Sequence, residues 1–116
     1  MIVHRADVVI VDFSPTDPNA RVRPALVVQN DRDNARMRRT VVVQITSNIS
    51  RASEDTQHLV DPAHPDWAAS GLRLPSVVNA SNLATVPRGQ ITHVIGALSA
   101  ATMQEVDACL RAALGL

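Results

Sequence analysis

A chain of 116 residues and 12.5 kDa has room for one core, so a single domain over residues 1–116 is expected. Hydrophobic residues at 46% against 19% charged supply enough apolar surface to fold, and eleven bases balance eleven acids to a formal net charge of zero. All eleven bases are Arg, which excludes a phosphate-loop or Schiff-base lysine, while the absence of Tyr and the lone Phe13 and Trp67 remove the ring platforms of single-strand readers.

From the front, Val8 to Phe13, Ala25 to Val28 and Thr40 to Ile45 are Val/Ile-rich runs of strand length between Pro, Asn, Asp and Arg clusters, and all three predict strands. Ser14 to Val22 is a polar loop with two prolines, and Asp31 to Arg39 an irregular loop or one short helical turn. His58 to Val60 predicts a brief edge strand. The stretch from Pro62 to Pro75 holds three prolines and Gly71, too many breaks for one regular element. Val77 and Val78, Leu83 to Val86, and His93 to Leu98 read as further short strands. Met103, Val106, Leu110 and Ala113 or Leu114 then recur at helical spacing, with Ser99 as N-cap and Gly115 as stop. The expected class is mainly β with a C-terminal helix, a barrel-like sheet with the helix packed on it.

Cys109 is the only cysteine, which leaves no intramolecular disulfide and no multi-cysteine zinc site. No apolar run approaches a membrane span, and no export signal is visible, so a cytoplasmic protein with no membrane partner is expected. Charge is segregated along the chain. Six arginines (21, 23, 32, 36, 38 and 39) face only Asp31 and Asp33, whereas Glu54, Asp55, Asp61 and Asp66 lie in an Arg-free stretch. If contiguous in the fold, the basic strip suits an anionic partner such as a phosphate backbone; the alternative is an ordinary solvated face.

His4, His58, His64 and His93 lack HxH or HxxxH spacing and read as scattered surface residues, with an acid–base pair such as His58 and His93 as the alternative. No metal site and no cofactor is expected. Arg23, before Pro24, and Thr46 with Ser47 lie at strand ends. If those strands are neighbours, a guanidinium and two hydroxyls face one pocket suited to a phosphate; otherwise Arg23 is a surface cation and Thr46 an ordinary strand residue.

Five segments carry a resemblance across nearly the whole chain: DVVIVDFSPT (7–16), RPALVVQND (23–31), VVVQITS (41–47), PSVVNASNLATV (75–86) and IGALSAATMQEVDACLRAALGL (95–116). Together they resemble the MazF/PemK family of toxin endoribonucleases from toxin–antitoxin systems. The resemblance implies an SH3-like β-barrel of the MazF/CcdB type and a homodimer with an RNA groove. It implies metal-independent cleavage of single-stranded RNA and a cognate antitoxin, with operator DNA reached only through that antitoxin. The family's catalytic Arg and Thr fall on Arg23 and Thr46, with Asp17, Ser47 and Asn82 as RNA contacts. The chain departs from the family pattern at Ala6, where Gly is frequent, in a first loop shortened to Asp17–Ala20, and at Asn82 and Ala84 in place of a Gln and a basic residue. The alternative from another class is a non-enzymatic, CcdB-like toxin of the same fold that binds DNA gyrase; an inactive homologue that only partners its antitoxin is a third.

Overall fold

The three front runs form β1 (Asp7–Asp12), β2 (Val22–Val27) and β3 (Arg39–Thr46) in a computed structural model that describes residues 1–15, 19 and 21–116. They are joined by β4 (Gln57–Val60), β5 (Ser76–Pro87) and β6 (Ile91–Ala97) in an antiparallel six-stranded sheet of order β4-β5-β3-β2-β1-β6. No ladder joins β4 to β6 among the described residues, so the expected barrel is an open sheet. Register shifts in the β1–β6 and β3–β5 pairs bend it.

The front strands are continuous apolar runs because both of their faces are covered. Val8, Leu26, Val43 and Ile45 enter one core cluster, and Val9, Val11, Ala25, Val27 and Val42 enter a second on the opposite face. Helix α3 (Ala100–Leu114) covers the first with Met103 and Val106. As read from the sequence, the Ser99 side chain caps its start by accepting from the Thr102 N–H, and Gly115 ends it at φ +71°. The buried carboxylate of Asp66 accepts from the Ser99 N–H at 2.8 Å and from its hydroxyl at 2.9 Å, fastening the start of α3 to the distant turn that carries Asp66. The Thr102 hydroxyl and the Ser99 N–H hold that carboxyl below its ordinary value.

Asp31–Arg36 is a short helix, α1, capped by Asn30. The Oδ1 of its buried Asn34 accepts from the Thr40 hydroxyl at 2.7 Å and from Gln29 Nε2 at 3.0 Å, which pins α1 to β3. A four-residue helix, α2 (Trp67–Ser70), lies within the stretch expected to be irregular, and its Trp67 packs on the first cluster. Among the described residues no helix is long and apolar enough to cross a membrane.

Two sequence expectations are corrected. Val77–Val78 and Leu83–Val86 belong to one twelve-residue strand, β5, interrupted by a bulge where the register slips from Leu83 to Asn79. The Asn79 side chain accepts from the Ser81 N–H at 3.1 Å, and the Ala80 N–H bonds Thr56 instead of β3, so the polar interruption turns locally without ending the strand. The histidines are not all scattered either. His58 and His64 meet with their Nε2 atoms 3.0 Å apart and rings edge-to-face, because the turn at Asp61–His64 folds the chain back beside edge strand β4.

Candidate active site

Pro24 has no N–H to donate, and the β2–β3 ladder stops at Ala25, the residue after it. Continuing that register by two residues sets Arg23 across from Thr46 at the point where the strands part. Cross-strand partners share a face of a sheet, so Val11, Arg23, Thr46, Val77 and Leu59 form one row and the Arg23 and Thr46 side chains leave the same side. A cleft of about 630 Å³ opens at this end of the strands, lined by Arg23, Thr46, Ser47, Leu72, Arg73 and Leu74 and also by Ile10, Pro24 and Ile45 from the alternate positions of the sheet. The juxtaposition expected of Arg23, Thr46 and Ser47 is therefore present in one cleft.

The charge balance of this cleft is one-sided. Neither Asp, Glu nor His lines it, and Arg23 and Arg73 make no ion pair among the described residues. Thr46 Oγ1 accepts from the Asn48 N–H at 3.2 Å, a local turn that orients the hydroxyl and leaves its proton free to donate. Among the described residues the cleft thus offers guanidinium and hydroxyl donors and no anion, which is what a phosphodiester requires.

Nothing local in the sequence marks Arg73 as a cleft residue. Its position depends on two backbone approaches. Gly71, at φ +72°, lies so close to β6 that a Cβ there would meet the Ile95 carbonyl oxygen at 2.1 Å, and a Cβ on Gly96 would meet that of Ala69 at 2.2 Å. These contacts seat the segment after α2 against β6 and make Leu72, Arg73 and Leu74 a cleft wall.

Of the other expected RNA contacts, Asn82 lies outside the cleft lining, on the β5 bulge, where its Nδ2 donates to Gln44 Oε1 at 2.9 Å. Asp17 falls outside the described residues. The basic strip is divided: Arg21 and Arg23 lie at the cleft end, while Arg36, Arg38 and Arg39 lie at the opposite end of β3, about 23 Å from Thr46 at the usual strand rise. The alternative histidine pair does not form either, since His58 faces His64 whereas His93 lies on exposed β6 beside Thr92.

An open antiparallel sheet backed by a C-terminal helix, with a phosphate-suited cleft where two strands part, defines a small mainly β domain with an anion-binding site. The profile of the family described as PemK-like, MazF-like toxin of type II toxin–antitoxin system matches residues 4–114, and the chain belongs to that family. Endoribonuclease MazF6 of Mycobacterium tuberculosis is 35% identical over 121 aligned residues spanning all of both chains. Endoribonuclease EndoA of Bacillus subtilis is 32% identical, covering 100% of this chain and 97% of its own. Among solved structures, an endoribonuclease from a mycobacterial species superposes with a TM-score of 0.78 at 26% identity, over 100% of this chain and 94% of that one.

Proposed function

We propose that the chain is a cytoplasmic endoribonuclease toxin that cuts single-stranded RNA without a metal, acts as a homodimer and is neutralised by a cognate antitoxin. The observation that carries this reading is that Arg23, without an ion pair among the described residues, and Thr46 line one cleft whose described lining holds no Asp, Glu or His. Its support is full-length similarity to relatives named endoribonucleases. A mycobacterial structural relative at 26% identity is described as an endoribonuclease in complex with its cognate antitoxin, which supports the same kind of partner here. These named activities favour the nuclease over the gyrase-binding alternative.

RNA carries its own nucleophile. The 2′-oxygen attacks the adjacent phosphorus, the P–O5′ bond breaks, the 2′-hydroxyl proton departs and the 5′-oxygen gains one. The products are a 2′,3′-cyclic phosphate and a 5′-hydroxyl. The protein therefore has to align the phosphate and disperse charge on the phosphorane, tasks that need donors rather than a protein nucleophile. Arg23 spans two non-bridging oxygens with its planar fork, and Thr46 donates to a phosphate oxygen. Ser47, at the cleft rim, and Asp17 are RNA contacts.

The decisive experiment is cleavage of RNA in excess chelator with analysis of the fragment ends. Wild type should leave cyclic phosphate and 5′-hydroxyl ends and should not cut a substrate lacking the 2′-hydroxyl. Arg23→Ala should lower kcat about 10²-fold or more, the scale of removing one charge-stabilising donor, with the fold intact. Arg23→Lys should fail in large part, since a point ammonium cannot reproduce the fork. Fragments with 5′-phosphate ends, or a folded Arg23→Ala protein of normal activity, would refute the mechanism. Sedimentation should give twice the 12.5 kDa chain mass.

A further inference from the structure

One step from the row of Arg23 and Thr46, toward the sheet's interior, runs a second row in which Ala25, Gln44, Asn79 and Gln57 are successive cross-strand neighbours on β2, β3, β5 and β4. Its last three members are amides. Gln57 Nε2 donates to Asn79 Oδ1 at 2.7 Å, and the β5 bulge brings in a fourth amide, Asn82, whose Nδ2 donates to Gln44 Oε1 at 2.9 Å. Because residues two apart along a strand share a face, this ladder lies on the side of the sheet from which Arg23 and Thr46 project.

Bonding between Gln44 and Asn82 uses one acceptor and one donor. It leaves Gln44 Nε2 and Asn82 Oδ1 without a further partner among the described residues. Asn82 is exposed, and Gln44 Nε2 is not among the buried orphaned atoms, so both face solvent. Exchanging oxygen and nitrogen in both amides leaves the same complement, one donor beside one acceptor. That pairing matches the hydrogen-bonding edge of a nucleobase, the chemistry by which Asn and Gln read bases elsewhere. Stacking offers no substitute here. The chain's one Phe and one Trp, Phe13 and Trp67, pack against the core clusters.

We infer that the Gln44–Asn82 amide pair reads the edge of the base adjoining the phosphate gripped by Arg23 and Thr46, an inference that rests on the RNA-cleaving function proposed above. Asn79 and Gln57 are positioning residues: the Asn79 carbonyl also accepts from the Ser81 N–H at 3.1 Å and so fixes the bulge that carries Asn82. Because the readers sit one sheet row from the reacting groups, they select sequence without taking part in the chemistry.

The test is to map fragment ends from a mixed RNA pool cut by wild type, Asn82→Ala and Gln44→Glu. Wild type should prefer one base strongly at a position next to the cut. In Asn82→Ala that preference should relax roughly tenfold or more, the scale of one lost base contact, with flanking preferences retained. Gln44→Glu is isosteric and can still accept from Asn82, but it presents an acceptor where wild type presents a donor. It should redirect the preference toward a base offering a donor there. Unchanged motifs in both variants, or an even loss of cutting at every sequence, would overturn the inference. A wild type that cuts no RNA would refute the function itself, and the base reading with it.

Discussion

Ala6 sits at φ +81°, the only non-glycine with positive φ among the described residues, and it does so where the family pattern frequently has Gly. The position is held by its N–H bonding the Val27 carbonyl at 2.9 Å and its own carbonyl accepting from Leu98 at 2.9 Å, so the backbone cannot relax without losing both. A Cβ in this region costs on the order of 1–2 kcal/mol, partly offset by glycine's larger unfolded-state entropy. Ala6→Gly should therefore stabilise the protein by about 1 kcal/mol and raise Tm by about 4 °C in thermal unfolding; a lower Tm would show that Ala6 methyl packing outweighs the strain. At the same scale, Arg73 lines the cleft without an ion pair among the described residues. Arg73→Ala should raise KM several-fold with kcat little changed, and should flatten the log–log salt dependence of RNA binding by about 0.7, as expected for one lost phosphate contact on a single strand. An unchanged slope would remove Arg73 from the substrate path.

The elements that were legible in the sequence owe this to local chemistry. Val8–Val11 and Val41–Ile45 could scarcely be anything but strands, and Ser99 and Gly115 bound α3 as its capping chemistry requires. Arg23 and Thr46 could be named but not brought together, since their proximity depends on the β2–β3 register. The polar Ser81–Asn82 pair resembles a break and is a bulge, and Arg73 depends on Gly71 meeting Gly96's strand from another part of the chain. The His58–His64 contact is of this long-range kind and carries a pH consequence. His64 Nδ1 accepts from the Asp66 N–H at 2.9 Å, so in the neutral pair the His64 Nε2 carries the proton and donates to His58. Protonating His58 would set two N–H groups against each other. Burial and then the neighbouring His64 push the His58 pKa down, opposed by the nearby Glu105 and Asp66 carboxylates. A histidine with a lowered folded value contributes stability that is complete above its unfolded value near 6.5 and is lost as pH falls through the folded one. Urea midpoints should drop between pH 7.5 and 5.5 in wild type and drop less in His58→Gln. Parallel curves for the two proteins would mean that the pair does not sense pH.

On the scale of the whole molecule, zero net charge conceals two basic poles at opposite ends of β3, and this division makes the roles of the arginines separable. The cleft pole holds Arg23 and Arg73; the far pole holds Arg36, Arg38 and Arg39, all exposed, with Arg88 joined to it through its N–H on the Arg38 carbonyl at 2.8 Å. The separation of about 23 Å, from seven residues of strand rise, is nearly three Debye lengths at physiological ionic strength, where the length is about 8 Å, but less than one at 0.01 M, where it is about 30 Å. Charge reversal at the far pole should therefore leave the cleft's field unchanged in ordinary buffer and weaken it in dilute buffer. For a short RNA that occupies only the cleft, Arg36→Glu, Arg38→Glu and Arg39→Glu combined should cut at the wild-type rate at 0.15 M salt and several-fold more slowly at 0.01 M. A long RNA reaching the far pole should instead bind the variant more weakly at both ionic strengths, because direct phosphate contacts are lost. If the short RNA is also cut more slowly at 0.15 M, the far arginines, from this chain or from a second copy, touch the substrate at the cleft, and the two poles form one surface.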